Sequence, residues 1–184
     1  LIWSDYGHIE TVDHVRGLKY VQEFRRNLDE ICPPTITKVS ASAKPNTKVT
    51  TPITSAIKAL KKLNINKISI FTPYTDEINQ SVAEYFKKEN IEVVSLTYFD
   101  IASDLDIGKV DPDYLFEVLS KIDLSTSDAL FVSCTALPVL SLIDKLEKKL
   151  GKVVLSSNQT LIWDTLKEIN YNKNIDGFGQ LFKD

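Results

Sequence analysis

The sequence predicts an α/β fold built on a parallel sheet. Three observations predict it. From residue 67 onward, apolar runs of strand length alternate with amphipathic stretches of helix length: ISIF (68–71), IEVVSL (91–96), DALFVS (128–133) and KVVLS (152–156) are each followed by a helical pattern or a long connection leading to one. Alternation at this pace implies parallel strands joined by right-handed helical crossovers. The helices are also punctuated as helices are. Asp111 and Pro112 open one with a cap and a first-turn proline, and Gly151 closes another in the preferred stop position.

Taken in order, residues 1–3 read as a strand ending in the polar turn 4–8. Residues 12–31 carry Val12, Val15, Leu18, Val21, Phe24, Leu28 and Ile31, one face of a helix. Cys32, Pro33 and Pro34 stop it, since proline disfavours helical geometry in the residue before it. Residues 35–47 are polar and aperiodic, where a strand and a fuller helix are expected in this fold. Together with a start at Leu1 and the absence of any Met, this raises the expectation of a trimmed or incomplete polypeptide. Residues 49–51 are a short strand or turn. Pro52 opens a helix with Ile53, Ile57, Leu60 and Leu63 on its apolar face. After the strand at 68–71, residues 72–75 turn, and a helix runs through Ile78, Val82, Tyr85 and Phe86 to about Asn90. The strand at 91–96 leads into a long polar connection, 97–110, and the helix 111–122. The strand 128–133 precedes a helix at 138–150, the strand 152–156 and a helix at 158–169 with Leu161, Trp163, Leu166 and Ile169 apolar. The tail GFGQLF adds a last strand or packs as a loop.

Composition sets bounds on function. With 184 residues, 43% apolar and 26% charged, the chain has the material for one domain or two small packed ones. A net charge of −3 gives no electrostatic footprint for nucleic acid or an acidic membrane surface. No apolar run approaches the ~18 residues that span a bilayer, and no export signal is expected. Two distant cysteines suggest reduced thiols in a cytoplasmic setting, although a Cys32–Cys134 disulfide stays open. Neither GxGxxG nor GxxxxGK[ST] occurs, so no nucleotide cofactor is expected. His8 and His14, with Asp5 and Asp13, match no familiar ligand spacing, so no metal is expected. His8 is a residue that could line a pocket.

The stretch 128–163 carries the chemistry. Cys134 ends an apolar strand between Ser133 and Thr135, at the carboxyl edge where open α/β sheets bind ligands. A thiol has an ordinary pKa of about 8.5, which a helix N-terminus or hydrogen-bond donors lower. As a thiolate it can move a proton beside a carboxylate or add as a nucleophile. The bland alternative is a buried core thiol.

The motifs TPY (72–74), SCT (133–135) and SSNQ (156–159) followed by Trp163, in this order and spacing over residues 48–182, resemble the aspartate/glutamate racemase superfamily. The similar branch is that of maleate cis-trans isomerase and arylmalonate decarboxylase. The resemblance implies two similar Rossmann-like α/β lobes with parallel sheets and the active site in the cleft between them. Residues 1–66 with 172–184 would form the first lobe and 67–171 the second. It further implies no metal, no organic cofactor and a small carboxylate or dicarboxylate substrate, with homo-oligomers open.

By the same resemblance, Cys134 is the second-lobe catalytic cysteine and Cys32 its first-lobe partner. Tyr74 helps hold a substrate carboxylate, Thr135 offers an N–H and a hydroxyl to the same anion, and Asn158 lines or supports the site. The family often places Thr-Ser after its first-lobe residue. Here Pro33 and Pro34 stand there, and proline has no N–H, so that half of the cradle falls to Thr35 or Thr37. Two thiols about 7–8 Å apart across one substrate suit racemisation or isomerisation, given reacting distances near 3–3.5 Å. One thiol suffices for decarboxylation. Asn158 is equally readable as a helix N-cap, Tyr74 as a turn tyrosine packed on the next helix, and Cys32 as an inert helix end. A non-catalytic carboxylate-binding protein of the same fold is the rival reading.

Overall fold

The computed structural model describes residues 49–171 and 173–183. Its first helix, α1 (Pro52–Lys62), begins where the sequence predicts. The Thr51 hydroxyl accepts the Thr54 N–H at 3.2 Å, and the Thr54 hydroxyl accepts the Thr51 N–H at 2.9 Å. This reciprocal box satisfies two of the amides that a helix start leaves unbonded, and Pro52 removes a third donor. The chain continues through β1 (Lys67–Thr72), α2 (Asp76–Lys88), β2 (Glu92–Tyr98), the short turn α3 (Asp104–Ile107) and α4 (Pro112–Leu119). It then forms β3 (Ala129–Val132), a 3₁₀ turn at Leu140–Leu142, α5 (Ile143–Leu150), β4 (Val153–Ser156), α6 (Ser157–Glu168) and a last 3₁₀ turn at Gln180–Phe182.

The four strands form one parallel sheet in the order β2-β1-β3-β4. Its two faces carry separate cores. On one, Ile68, Ile70, Phe131 and Leu155 meet Ala56 and Leu60 of α1, Phe86 of α2, Trp163 of α6, and Leu181 and Phe182 of the tail. On the other, Phe71, Leu130, Val132 and Val154 meet Ile107, Leu115, Leu119, Ile143 and Leu146. A sheet covered on both faces has its inner strands buried throughout, which is why β3 reads as an unbroken apolar run and β1 as one broken only by the buried Ser69. No helix among the described residues is long and apolar enough to cross a membrane.

Several local expectations are corrected. The connection 97–110 contains α3, whose Ile107 is buried. Residues 138–150 are not one helix, because α5 begins at Ile143. The Ala136 N–H is taken by Cys134 Sγ and the Val139 N–H by the Leu137 carbonyl, so the segment turns before it can wind. On α2 the buried positions are Asn79 and Phe86, while Ile78 is 44% exposed. Ile169 lies just past α6 and is exposed. The tail forms a 3₁₀ turn rather than a strand. Of the residues that the sequence assigns to a first lobe, α1 and the tail turn pack on this sheet. The expectations for residues 1–48, including Cys32, Thr35, His8 and His14, lie outside the described residues.

Candidate active site

Parallel register brings the site together. Phe71 is paired with Val132, and Val132 with Ser156. The segments that follow, 72–74, 133–135 and 157–158, therefore leave three neighbouring strands at one level, on the carboxyl edge of the sheet. From β1 the chain runs out to β2 on one side, and β3 then joins on the other side. The strand order thus reverses between β1 and β3, the switch point where such sheets bind ligands. The turn bearing Tyr74 and the turn bearing Cys134 flank it.

The β1 turn is fixed by a buried asparagine. The Thr72 hydroxyl donates to Asn79 Oδ1, Asn79 Nδ2 donates to the Tyr74 carbonyl at 3.2 Å, and the Tyr74 N–H donates to Thr72 Oγ1 at 3.2 Å. Sequence reading missed Asn79. Its signal was an amide seven residues before Phe86, on the face that α2 buries.

The β3 turn is held from three directions. The Ser133 N–H extends the ladder to the Phe71 carbonyl at 2.8 Å. The Cys134 N–H donates to Ser157 Oγ at 3.2 Å, and Asn158 Nδ2 donates to the Thr135 carbonyl at 2.9 Å. Cys134 Sγ accepts the Ala136 N–H at 3.3 Å. Ser157, 1% exposed, is a further residue that sequence reading missed, because a serine in a helix's first turn looks like ordinary capping.

Cys134 does not sit at a helix N-terminus, since the next helical residues begin at Leu140, so the nearby donor to its sulfur is a turn amide. Asn158 is not the N-cap of α6. Ser156 is the cap, in a box with Gln159: the Gln159 N–H donates to Ser156 Oγ and the Ser156 N–H to Gln159 Oε1, each at 3.2 Å. That frees the Asn158 side chain to reach across to the β3 turn. Gln159 Nε2 also donates to the Phe178 carbonyl at 2.6 Å, tying the tail to the back of the site.

The environment is apolar. Cys134 has no exposure and Tyr74 only 4%, and both belong to one cluster with Phe71, Ile107, Val132 and Leu137. An open groove of about 370 Å³ lies alongside, lined by Phe99, Ile101, Asp106, Lys109, Val110 and Tyr114. Backbone bonds from Phe99 to the Thr72 carbonyl and from Ile101 to the Pro73 carbonyl attach its wall to the β1 turn. At the end of β2 the Asp76 carboxylate, aided by burial, raises the Tyr98 phenol above its usual range and keeps it protonated. Among the described residues no group of three or more His, Cys, Asp or Glu could hold a metal ion.

Residues 16–182 match the family model of arylmalonate decarboxylase. The chain is 31% identical over 126 residues to maleate isomerase from Geobacillus stearothermophilus, covering 68% of this chain and 50% of that one. It is 26% identical over 136 residues to arylmalonate decarboxylase from Bordetella bronchiseptica, covering 72% and 57%. In structure it resembles a mutant of Nocardia farcinica maleate cis-trans isomerase with a covalently bound succinylcysteine intermediate. That likeness has a TM-score of 0.73 at 21% identity and covers 78% of this chain and 60% of that one. The chain spans about half the length of the curated relatives it matches.

Proposed function

The chain belongs to the arylmalonate decarboxylase family, and on that premise we propose that it is a cofactor-independent, cysteine-dependent enzyme for a small unsaturated dicarboxylate, of the maleate isomerase kind. The observation that carries the reading is the strand register, which sets the Cys134 turn beside the Tyr74 turn at the switch point of the sheet. The succinylcysteine of the Nocardia neighbour and the maleate isomerases among the relatives support thiol addition to an alkene.

In this proposal Cys134 and Cys32 are the two catalytic thiols. One, as thiolate, bonds to an alkene carbon, and the π pair moves to the carbon beside the other carboxylate. The second thiol gives that carbon a proton. Rotation about the new single bond follows, the proton returns to the second thiol, and the C–S bond breaks to give the trans acid. Negative charge that develops on the carboxylate needs fixed donors aimed at it. Tyr74, Thr135, Asn158 and, from the first half, Thr35 are proposed for that task. A second lobe closing over the site, a compartment that keeps both thiols reduced, and self-association belong to the same proposal.

Decarboxylation is the second reading, favoured by the family model itself. There one thiol, Cys134, protonates the enediolate left when carbon dioxide departs. The test is turnover by the purified chain, with fumarate formation from maleate and carbon dioxide release from phenylmalonate followed in parallel. The expected result is fumarate from the wild type and a loss of at least about a thousandfold in Cys134→Ser. Release of carbon dioxide without fumarate would move the assignment to decarboxylase. Binding of maleate with turnover of neither would leave the non-catalytic reading that Pro33 and Pro34 motivate.

A further inference from the structure

The Thr135 carbonyl and the Ala136 N–H are two ends of one planar amide. Its oxygen accepts from Asn158 Nδ2 at 2.9 Å, and its N–H donates to Cys134 Sγ at 3.3 Å. In a trans amide these two bonds point in opposite directions, so a group that holds the oxygen also sets the aim of the N–H. Donation to the oxygen also polarises the amide and strengthens the N–H as a donor. The Ser133–Cys134 amide, two peptide units earlier, is held from the same helix turn, through the Cys134 N–H and Ser157 Oγ at 3.2 Å.

We propose that Asn158 is a positioning residue for the Cys134 sulfur, holding and polarising the Thr135–Ala136 amide so that its N–H stabilises the thiolate. The proposal rests on the reading of Cys134 as a reacting thiol. The sulfur has no exposure to water, and burial of a charge without a donor is costly, whereas a hydrogen bond to the charged form favours it. Asn158 reaches the sulfur through the backbone, which explains why a helix residue 24 positions along the chain bears on it. The titratable side chain that shares the apolar cluster is Tyr74. On the elements packed there, Asp106 is engaged by Lys109, Glu117 by Lys121, Asp144 by Lys148, and Glu147 by the Val154 and Gln180 amides.

The test is a pH titration of the ultraviolet thiolate absorbance of the full chain, with the Cys134→Ser trace subtracted so that Cys134 alone is read. Asn158→Leu is expected to raise the Cys134 midpoint by about one pH unit, a tenfold smaller thiolate fraction at a given pH below it. Asn158→Ala is expected to do the same, and decides the matter if the leucine variant does not fold. Thr165→Val, which removes the Thr165 Oγ1 bond to the Leu161 carbonyl in the same helix, should leave the midpoint in place. An unchanged midpoint in the Asn158 variants, or an equal shift in Thr165→Val, would overturn the proposal. A shifted midpoint in a chain that turns over neither acid would sink the enzymatic reading and leave this one standing.

Discussion

Asp164 of α6 shows how much one side chain can hold. Its buried carboxylate accepts from the Thr50 hydroxyl, from the Ser55 hydroxyl at 3.2 Å and from the Lys58 ammonium at 2.7 Å and 2.9 Å, clamping α1 onto α6. Lys58 is half exposed while Asp164 is covered. The two partners should therefore differ in weight. Asp164→Ala removes the shared acceptor of two buried hydroxyls, which keep only their contact with each other, and is expected to lower unfolding free energy in urea by about 2 kcal/mol. Lys58→Met leaves the carboxylate two hydroxyl donors and should cost about 1 kcal/mol or less. Equal losses would show that the ion pair, not the hydroxyls, carries the clamp. None of this was legible in sequence, because Thr50, Ser55 and Asp164 are polar residues on helices and turns whose partners lie about 110 positions away. The place of Cys134 just past a strand end was legible, because an unbroken apolar run and small polar neighbours mark it.

The tail turn depends on a glycine and a half-buried glutamate. Gly179 adopts φ +82°, and a Cβ there would lie 2.7 Å from Ile143 Cγ2. Gly179→Ala is thus expected to destabilise by about 2 kcal/mol through strain and collision together. Glu147 of α5 accepts the Val154 N–H at 3.1 Å and the Gln180 N–H at 2.9 Å. Burial raises its carboxyl above the ordinary range, with the two amides pulling the other way. A carboxyl raised in the folded state contributes its stability in acid, fully below its unfolded value of about 4.3, and loses it as pH rises through the folded value. Wild type should therefore lose thermal stability relative to Glu147→Gln between acid and neutral pH. A constant difference in Tm across that window would refute the assignment. At this scale the sequence was readable in type and weaker in boundary. Pro138 looked like a helix start, and only the bonds at Ala136 and Val139 show why winding waits until Leu140.

For the whole molecule the open matter is what faces the Cys134 turn. The sheet and the switch point lie within residues 67–156, and the two cores also draw on α1, α6 and the tail turn, whereas Cys32 belongs to the preceding part of the chain. If two thiols share the work, Cys32→Ser should lower fumarate formation from maleate by about a hundredfold or more, the worth of a positioned acid or base. Full fumarate formation in that variant would assign the chemistry to Cys134 alone.

Local patterning by itself determined the parallel α/β class, because strand and helix periodicity and caps act over a few residues, and the resemblance of short motifs singled out the turns at residues 72–74 and 133–135 and the strand-to-helix step at 156–159. Tertiary structure alone decided how those turns meet. Register aligned Phe71, Val132 and Ser156, and the capping box at Ser156 released Asn158 to grip the cysteine turn. Hydrogen bonds between residues more than twenty positions apart leave no period in a sequence, since each partner is a common polar residue that only the folded chain brings within reach.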